Sequence, residues 1–100
     1  MYSLSERQKK TLRGLGHKLK PVVIVAESGL SENVRYEIEQ ALVFHELIKI
    51  SIRVGDRDVR DQIIATICDD FGATRVQRTG NVALFFRRNL EQPKVVLGSR

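Results

Sequence analysis

A chain of 100 residues, 42% apolar and 29% charged, is long enough to bury roughly two-thirds of its unfolded surface in one core, and this composition excludes the disordered and fibrous classes. Its one cysteine, Cys68, excludes an intramolecular disulfide and a zinc ribbon, as suits a reducing, cytoplasmic compartment. Residues 1–20 carry six cations against one carboxylate, residues 73–100 do the same, and residues 21–72 carry five cations against ten carboxylates. Two basic ends around an acidic middle concentrate polyanions wherever the fold brings those ends together. Met1 to Arg7 has no apolar signal-like stretch, and the longest apolar run, Val22 to Ala26, is too short to span a bilayer. No membrane association is expected.

The first helix is announced by capping-box spacings at Ser3/Glu6 or Ser5/Gln8. Leu4, Leu12, Leu15 and Leu19 recur at helical spacing and predict its buried row, with Lys9, Arg13, His17 and Lys20 as a basic stripe opposite. Gly14 and Gly16 weaken its last turns. Pro21 opens Val22-Val23-Ile24-Val25-Ala26, apolar in both alternating sets, which predicts a central strand covered on both faces. Glu27-Ser28-Gly29 turns out of it. Ser31 caps a second helix that presents Val34, Ile38, Ala41 and Leu42 and runs to about Phe44.

Ile48, Ile50, Ile52 and Val54 then alternate with Lys49, Ser51 and Arg53, which predicts a half-exposed strand. Asp56 or Asp58 caps a third helix with Val59, Ile63, Ile67 and Phe71 as its buried row and Gly72 at its end. Residues 74–79 and 82–88 read as strands joined at Gly80-Asn81. The expected fold is a single α/β domain over residues 1–100 in the order α-β-α-β-α-β-β. Right-handed crossovers make the first three strands parallel, and the hairpin adds an antiparallel fourth to the mixed sheet. Helices two and three cover one face and helix one the other, with Phe85 and Phe86 pointing to opposite faces. Residues 89–100 are expected to be a loosely tethered tail, with Val95-Val96-Leu97 the stretch able to dock.

Ala26-Glu27-Ser28-Gly29 lies between a strand and a helix N-terminus, where free backbone N–H groups suit a phosphate. Lys9, Lys10, Arg13, Lys18 and Lys20 from one end, with Arg75, Arg78, Arg87 and Arg88 from the other, supply phosphate contacts if both clusters adjoin that turn. Val82 to Phe86 lacks the RNP1 pattern, and Tyr36 is read as helix packing. Cys68 reads as a small core residue, Asp56, Asp58, Asp61, Asp69 and Asp70 as a solvated helix face, and His17 and His45 lack partners at ligand spacing. No catalytic residue, metal site or cofactor is expected, because no acid–base pair or nucleotide-binding fingerprint is present.

As a set, Leu12-Arg13-Gly14-Leu15-Gly16-His17-Lys18-Leu19-Lys20-Pro21, Gly29-Leu30-Ser31-Glu32-Asn33-Val34, Ile38-Glu39-Gln40-Ala41-Leu42 and His45-Glu46-Leu47-Ile48-Lys49-Ile50 resemble the CRM domain, the chloroplast RNA splicing and ribosome maturation module, in its stand-alone bacterial YhbY-like form. The resemblance spans about residues 4 to 88. It implies a fold similar to the C-terminal domain of translation initiation factor three, and an RNA-binding protein that associates with ribosomal RNA in precursors of the large ribosomal subunit; no enzymatic activity is expected, and of the oligomeric states, which the sequence leaves open, a monomer is favoured. The family's G-x-x-G loop maps onto Ala26, Glu27, Ser28 and Gly29, departing from it at Ala26 and Glu27. The RNA-binding residues expected are Lys9, Lys10, Arg13, His17, Lys18, Lys20, Ala26, Glu27, Ser28, Gly29, Arg87 and Arg88. Two rivals are an Alba-like nucleic-acid architectural protein and a protein adaptor acting through the acidic middle.

Overall fold

The computed structural model describes residues 3–98. Its elements are α1 (Glu6–Gly16), β1 (Pro21–Val25), α2 (Glu32–His45), β2 (Leu47–Ile52), α3 (Arg57–Phe71), β3 (Thr74–Thr79) and β4 (Val82–Phe86), in the expected order. Each helix begins where a side-chain oxygen meets the unpaired N–H groups of a first turn. Ser5 and Gln8 close the second of the two candidate boxes reciprocally, Ser31 accepts from the Val34 N–H, and Asp56 accepts from Asp58 and Val59. Gly72 ends α3 at a φ of 62°, where a Cβ would be strained.

The sheet order is β1-β2-β4-β3. β1 and β2 are parallel, whereas β4 lies between β2 and β3 and is antiparallel to both, so the first three strands share a direction as expected. Val23, Val25, Ile48, Ile50, Ile52 and Phe85 pack with α2 and α3 on one face. On the other, Leu12 of α1 packs with Leu47, Val76, Leu84, Phe86 and Leu97. Each such side chain contributes roughly 1.5–3 kcal/mol when fully buried.

Several expectations require correction. β1 is an edge strand, not a central one, because β4 pairs with the far side of β2 and leaves the outer edge of β1 unpaired. Eleven residues of α1 span only about 16 Å, so α1 covers part of its face and leaves Val22 51% and Ile24 48% exposed. β2, expected to be half-exposed, is instead paired on both sides and buried along nearly all its length, Ser51 included.

The buried row of α1 is Gln8, Leu12 and Gly16, with Leu4 partly buried, whereas Leu15 and Leu19 are exposed. Gly16 explains the rotation. A Cβ there would lie 2.6 Å from Leu84 Cδ2, so its absence lets the helix end press onto β4. In α3 the buried residues are Ile63, Ile64 and Ile67, and Val59 is exposed. β4 ends at Phe86 rather than at residue 88.

The tail is not loose over the described residues. Leu97 is buried beside Leu12, and the buried Gln8 carboxamide donates to Gly98 O at 3.3 Å. The stronger tie is Glu46, which follows α2 at a φ of 62° with its side chain fully buried. Its carboxylate accepts from the backbone N–H groups of Asn89 (2.6 Å), Lys94 (2.7 Å) and Val95 (2.8 Å), and from Arg88 Nη1 at 3.0 Å. Residues 99 and 100 of the expected tail lie outside the described residues.

Candidate nucleic-acid interface

Side chains alternate across a strand, so the face carrying Val23, Val25, Ile48 and Ile50 leaves Val22, Ile24, Lys49 and Ser51 on the α1 side. α1 stops short of Val22 and Ile24, which stay about half exposed, whereas Ser51 is buried. The open part of the sheet is bounded at the start of β1 by His17, Lys18, Leu19 and Lys20, and at its other end by the turn of residues 26–29.

Two grooves flank Lys49. The larger, about 640 Å³, has an apolar floor that includes Leu15, Leu19, Val22 and Leu47, and a rim of Lys18, Lys20, Lys49, Lys94 and His45. The smaller, about 370 Å³, lies between His17, Pro21, Gln77 and Thr79. Among the described residues no carboxylate lies within 4 Å of Lys10, Arg13, Lys18, Lys20, Lys49 or Lys94, whereas Lys9 pairs with Glu6 at 3.7 Å.

The C-terminal arginines are placed differently. Arg87 is held by Glu39 in a two-pronged pair at 2.8 and 2.7 Å and also donates to Phe71 O. That shared hydrogen bond holds the Glu39 carboxyl below, and the Arg87 guanidinium above, their ordinary values. Arg88 pairs with buried Glu46 and stacks over Phe86 at 5.5 Å. Burial alone would raise the Glu46 carboxyl, but the three backbone donors and Arg88 outweigh it and hold the group low. Arg78 pairs with Asp61, and Arg35 with Asp70 at 2.9 Å. Arg87 and Arg88 thus tie the sheet to α2 and to the tail.

The turn of residues 26–29 closes through Gly29 N–H to Ala26 O at 2.9 Å, with Gly29 at a φ of 79°. Glu27 turns toward the loop after β2 and accepts from Gly55 N–H at 3.0 Å. The acid is therefore a brace between two loops. The turn does not adjoin Lys18 and Lys20 directly, because the five residues of β1 separate them by about 16 Å at a rise of 3.3 Å per residue.

Tyr36, read from sequence as packing, is 67% exposed. Cys68 is half-buried against the α2–α3 side of the core, and burial pushes its thiol up, away from reactivity. Among the described residues no three His, Cys, Asp or Glu gather in a way that could hold a metal ion, and no helix is long and apolar enough to cross a membrane.

Sequence reasoning missed Lys49, Lys94 and His45 as rim residues of the larger groove. Lys49 carried a signal, as a cation on the non-core side of an alternating strand. Lys94 and His45 carried none, because tail docking brings the first to the groove and the end of α2 brings the second.

The CRS1 / YhbY (CRM) domain family model matches residues 4–87. A Pseudomonas aeruginosa protein that bears the name Probable RNA-binding protein is 44% identical over 87 residues, 87% of this chain and 84% of its own. A Haemophilus influenzae protein named RNA-binding protein is 41% identical over 97 residues, 97% of each chain. The solution structure of the Staphylococcus aureus protein SAV1595 superposes with a TM-score of 0.80 at 26% identity, over 96% of this chain and all of that one. The sequence blocks, the three-helix, four-stranded architecture and these relatives agree, and the chain belongs to the CRS1/YhbY (CRM) domain family.

Proposed function

We propose that this protein is a non-enzymatic, cytoplasmic RNA-binding protein that associates with ribosomal RNA in precursors of the large ribosomal subunit and assists their assembly. The observation that carries the RNA reading is the division of the charges. Lys18, Lys20, Lys49 and Lys94 gather, without a carboxylate partner among the described residues, around the open part of the sheet. Four carboxylates of the acidic middle, Glu39, Glu46, Asp61 and Asp70, are held in internal pairs on the helical side and at the tail. The names of the relatives support the same reading, and membership of the CRM family supports the ribosomal one.

In this reading Lys10, Arg13, His17, Lys18 and Lys20 contact phosphates along one approach, Lys49 and Lys94 fix the RNA over the sheet, and the Ser28 amide positions it at the far end of β1, the Gly29 N–H being taken up by Ala26 O. Lys9 lies at the margin beside Glu6. Arg87 and Arg88 act indirectly, by holding the framework. The test is the sedimentation of the native protein in cell extract through a gradient that resolves ribosomal subunits and their precursors, with and without RNase. Co-migration with large-subunit precursors that RNase abolishes is expected. Migration as free protein in low salt overturns the ribosomal role.

A further inference from the structure

The larger groove carries more apolar surface than phosphate binding requires. Leu15, Leu19, Val22 and Val96 line it and are 46%, 37%, 51% and 87% exposed, and contiguous exposed apolar surface of this kind marks a binding site. Lysines bury their stems along such a floor while their ammonium groups stay at the rim. Its volume of about 640 Å³ falls within the ~300–1,000 Å³ of pockets that take ligands of nucleotide size.

A paired A-form duplex presents phosphates and riboses outward and keeps its bases stacked inside, so it offers this floor nothing apolar. An unpaired strand offers both kinds of group, with flat base faces on one side and phosphates on the other. The edge of β1 adds polar groups. Val25 O accepts from Arg53 N–H of the β2 side, and backbone groups alternate along a strand, so those of Ile24 point outward, away from β2. Val22 brings an apolar side chain to the same groove, beside the outer edge of β1, on which no strand of the sheet pairs.

Resting on the RNA-binding reading, we infer that the groove between α1, β1 and the tail takes unpaired nucleotides with their bases turned inward, the flanking phosphates lying on Lys18, Lys20, Lys49 and Lys94. The ligand class is single-stranded RNA, such as a loop or bulge, in preference to continuous duplex. This groove lies at the opposite end of β1 from the turn of residues 26–29.

The test compares three probes on the full chain: a twelve-nucleotide RNA strand, the same strand in a full duplex, and an abasic strand of equal length. Binding is followed by titration and by the methyl resonances of Leu15, Leu19, Val22 and Val96. The base-bearing strand is expected to bind about tenfold more tightly than the abasic one, the order given by taking roughly 55 Å² of apolar surface out of water, and to shift those methyls. The double substitution Leu15→Ser/Val96→Ser, at two exposed positions, should remove that tenfold difference and leave abasic binding unchanged.

Equal affinity for the base-bearing and abasic strands, or preference for the duplex, overturns the inference while RNA binding itself stands. Failure of all three probes removes the RNA-binding reading and this inference with it. Methyl shifts with an acidic peptide of alternating glutamate and leucine, and none with RNA, would give the groove to a protein partner and likewise overturn it.

Discussion

Residues 1–20 and residues 73–100 have the same charge balance, six cations to one carboxylate, yet the fold uses them in opposite ways. At the first end Lys18 and Lys20 reach an open groove with no carboxylate within 4 Å among the described residues. At the second, Arg78, Arg87 and Arg88 each meet an acid from the middle of the chain. Residue type accounts for most of the difference, with Arg13, unpaired among the described residues, Glu6-paired Lys9 and groove-lining Lys94 as the exceptions. Guanidinium groups, planar and able to take a carboxylate two-pronged, serve the internal pairs, and ammonium groups, flexible and strongly hydrated, stay at the surface. Net charge along a sequence locates cations but does not say which are available, because that depends on carboxylates delivered by other elements.

The largest expected effect lies at the second end. Glu46→Ala removes the carboxylate that Arg88 pairs with and leaves three backbone N–H groups without their acceptor in a buried site, and should cost about 3–5 kcal/mol in chemical denaturation. A loss below about 1 kcal/mol would mean that the tail contributes little to the fold. The next effect separates the two ends by salt dependence. The triple substitution Lys18→Gln/Lys20→Gln/Lys49→Gln should lower the slope of log affinity for single-stranded RNA against log salt by about 2 and leave stability nearly unchanged. Arg87→Gln should lower stability and leave the slope as it was. A slope that falls equally in both would show that the C-terminal arginines reach phosphate despite their internal partners.

A smaller effect tests the pairing of Arg87. Glu39→Gln keeps the shape but removes the charge, and should cost about 1 kcal/mol, the upper range for a partly exposed pair of good geometry. The pH dependence has a definite sign. Glu39 and Glu46 are both held below the ordinary carboxyl value of 4.5. Their stabilisation is therefore fully present above that value and is lost as pH falls through their lowered folded-state values. Wild-type protein should lose stability in acid more steeply than Glu39→Gln, measured by denaturation between about pH 5 and pH 2.

Local signals reported the elements well. Ser5, Ser31 and Asp56 cap where their spacing places them, Gly72 ends α3, and Gly80 with Asn81 joins β3 to β4. Signals that depend on partners far away in sequence failed. Val22 to Val25 looks central by composition, but strand order is set by where β4 pairs, and nothing within β1 records that. The leucine spacing of α1 looks like a buried row, but the close approach at Gly16 sets the rotation of the helix and turns Leu15 outward. Glu46 shows the same limit, since its acceptor role exists only once residues 88–95 fold back onto it. The residues that line the groove are largely those whose local pattern promised burial. Leu15, Leu19 and Val22 read as core because they are apolar, and are exposed because α1 is short and β1 lies at an edge.

The smallest effect concerns the turn of residues 26–29, which lies between the two ends and belongs to neither. Glu27 is exposed, and among the described residues its side chain accepts from Gly55 N–H. Glu27→Gln retains an oxygen in the same place, so stability should change by less than about 0.5 kcal/mol. The charge, however, is lost. A carboxylate about 10 Å from a phosphate in water repels it by about 0.4 kcal/mol, about twofold in affinity. If RNA passes along β1 from the groove to the Ser28 amide, Glu27→Gln should tighten binding by that factor in low salt, and the gain should fade as salt shortens the Debye length below the separation. Unchanged affinity across the salt range would place the turn outside the contact and confine the RNA to the lysine-rimmed end of the sheet, with Glu27 acting only as a brace.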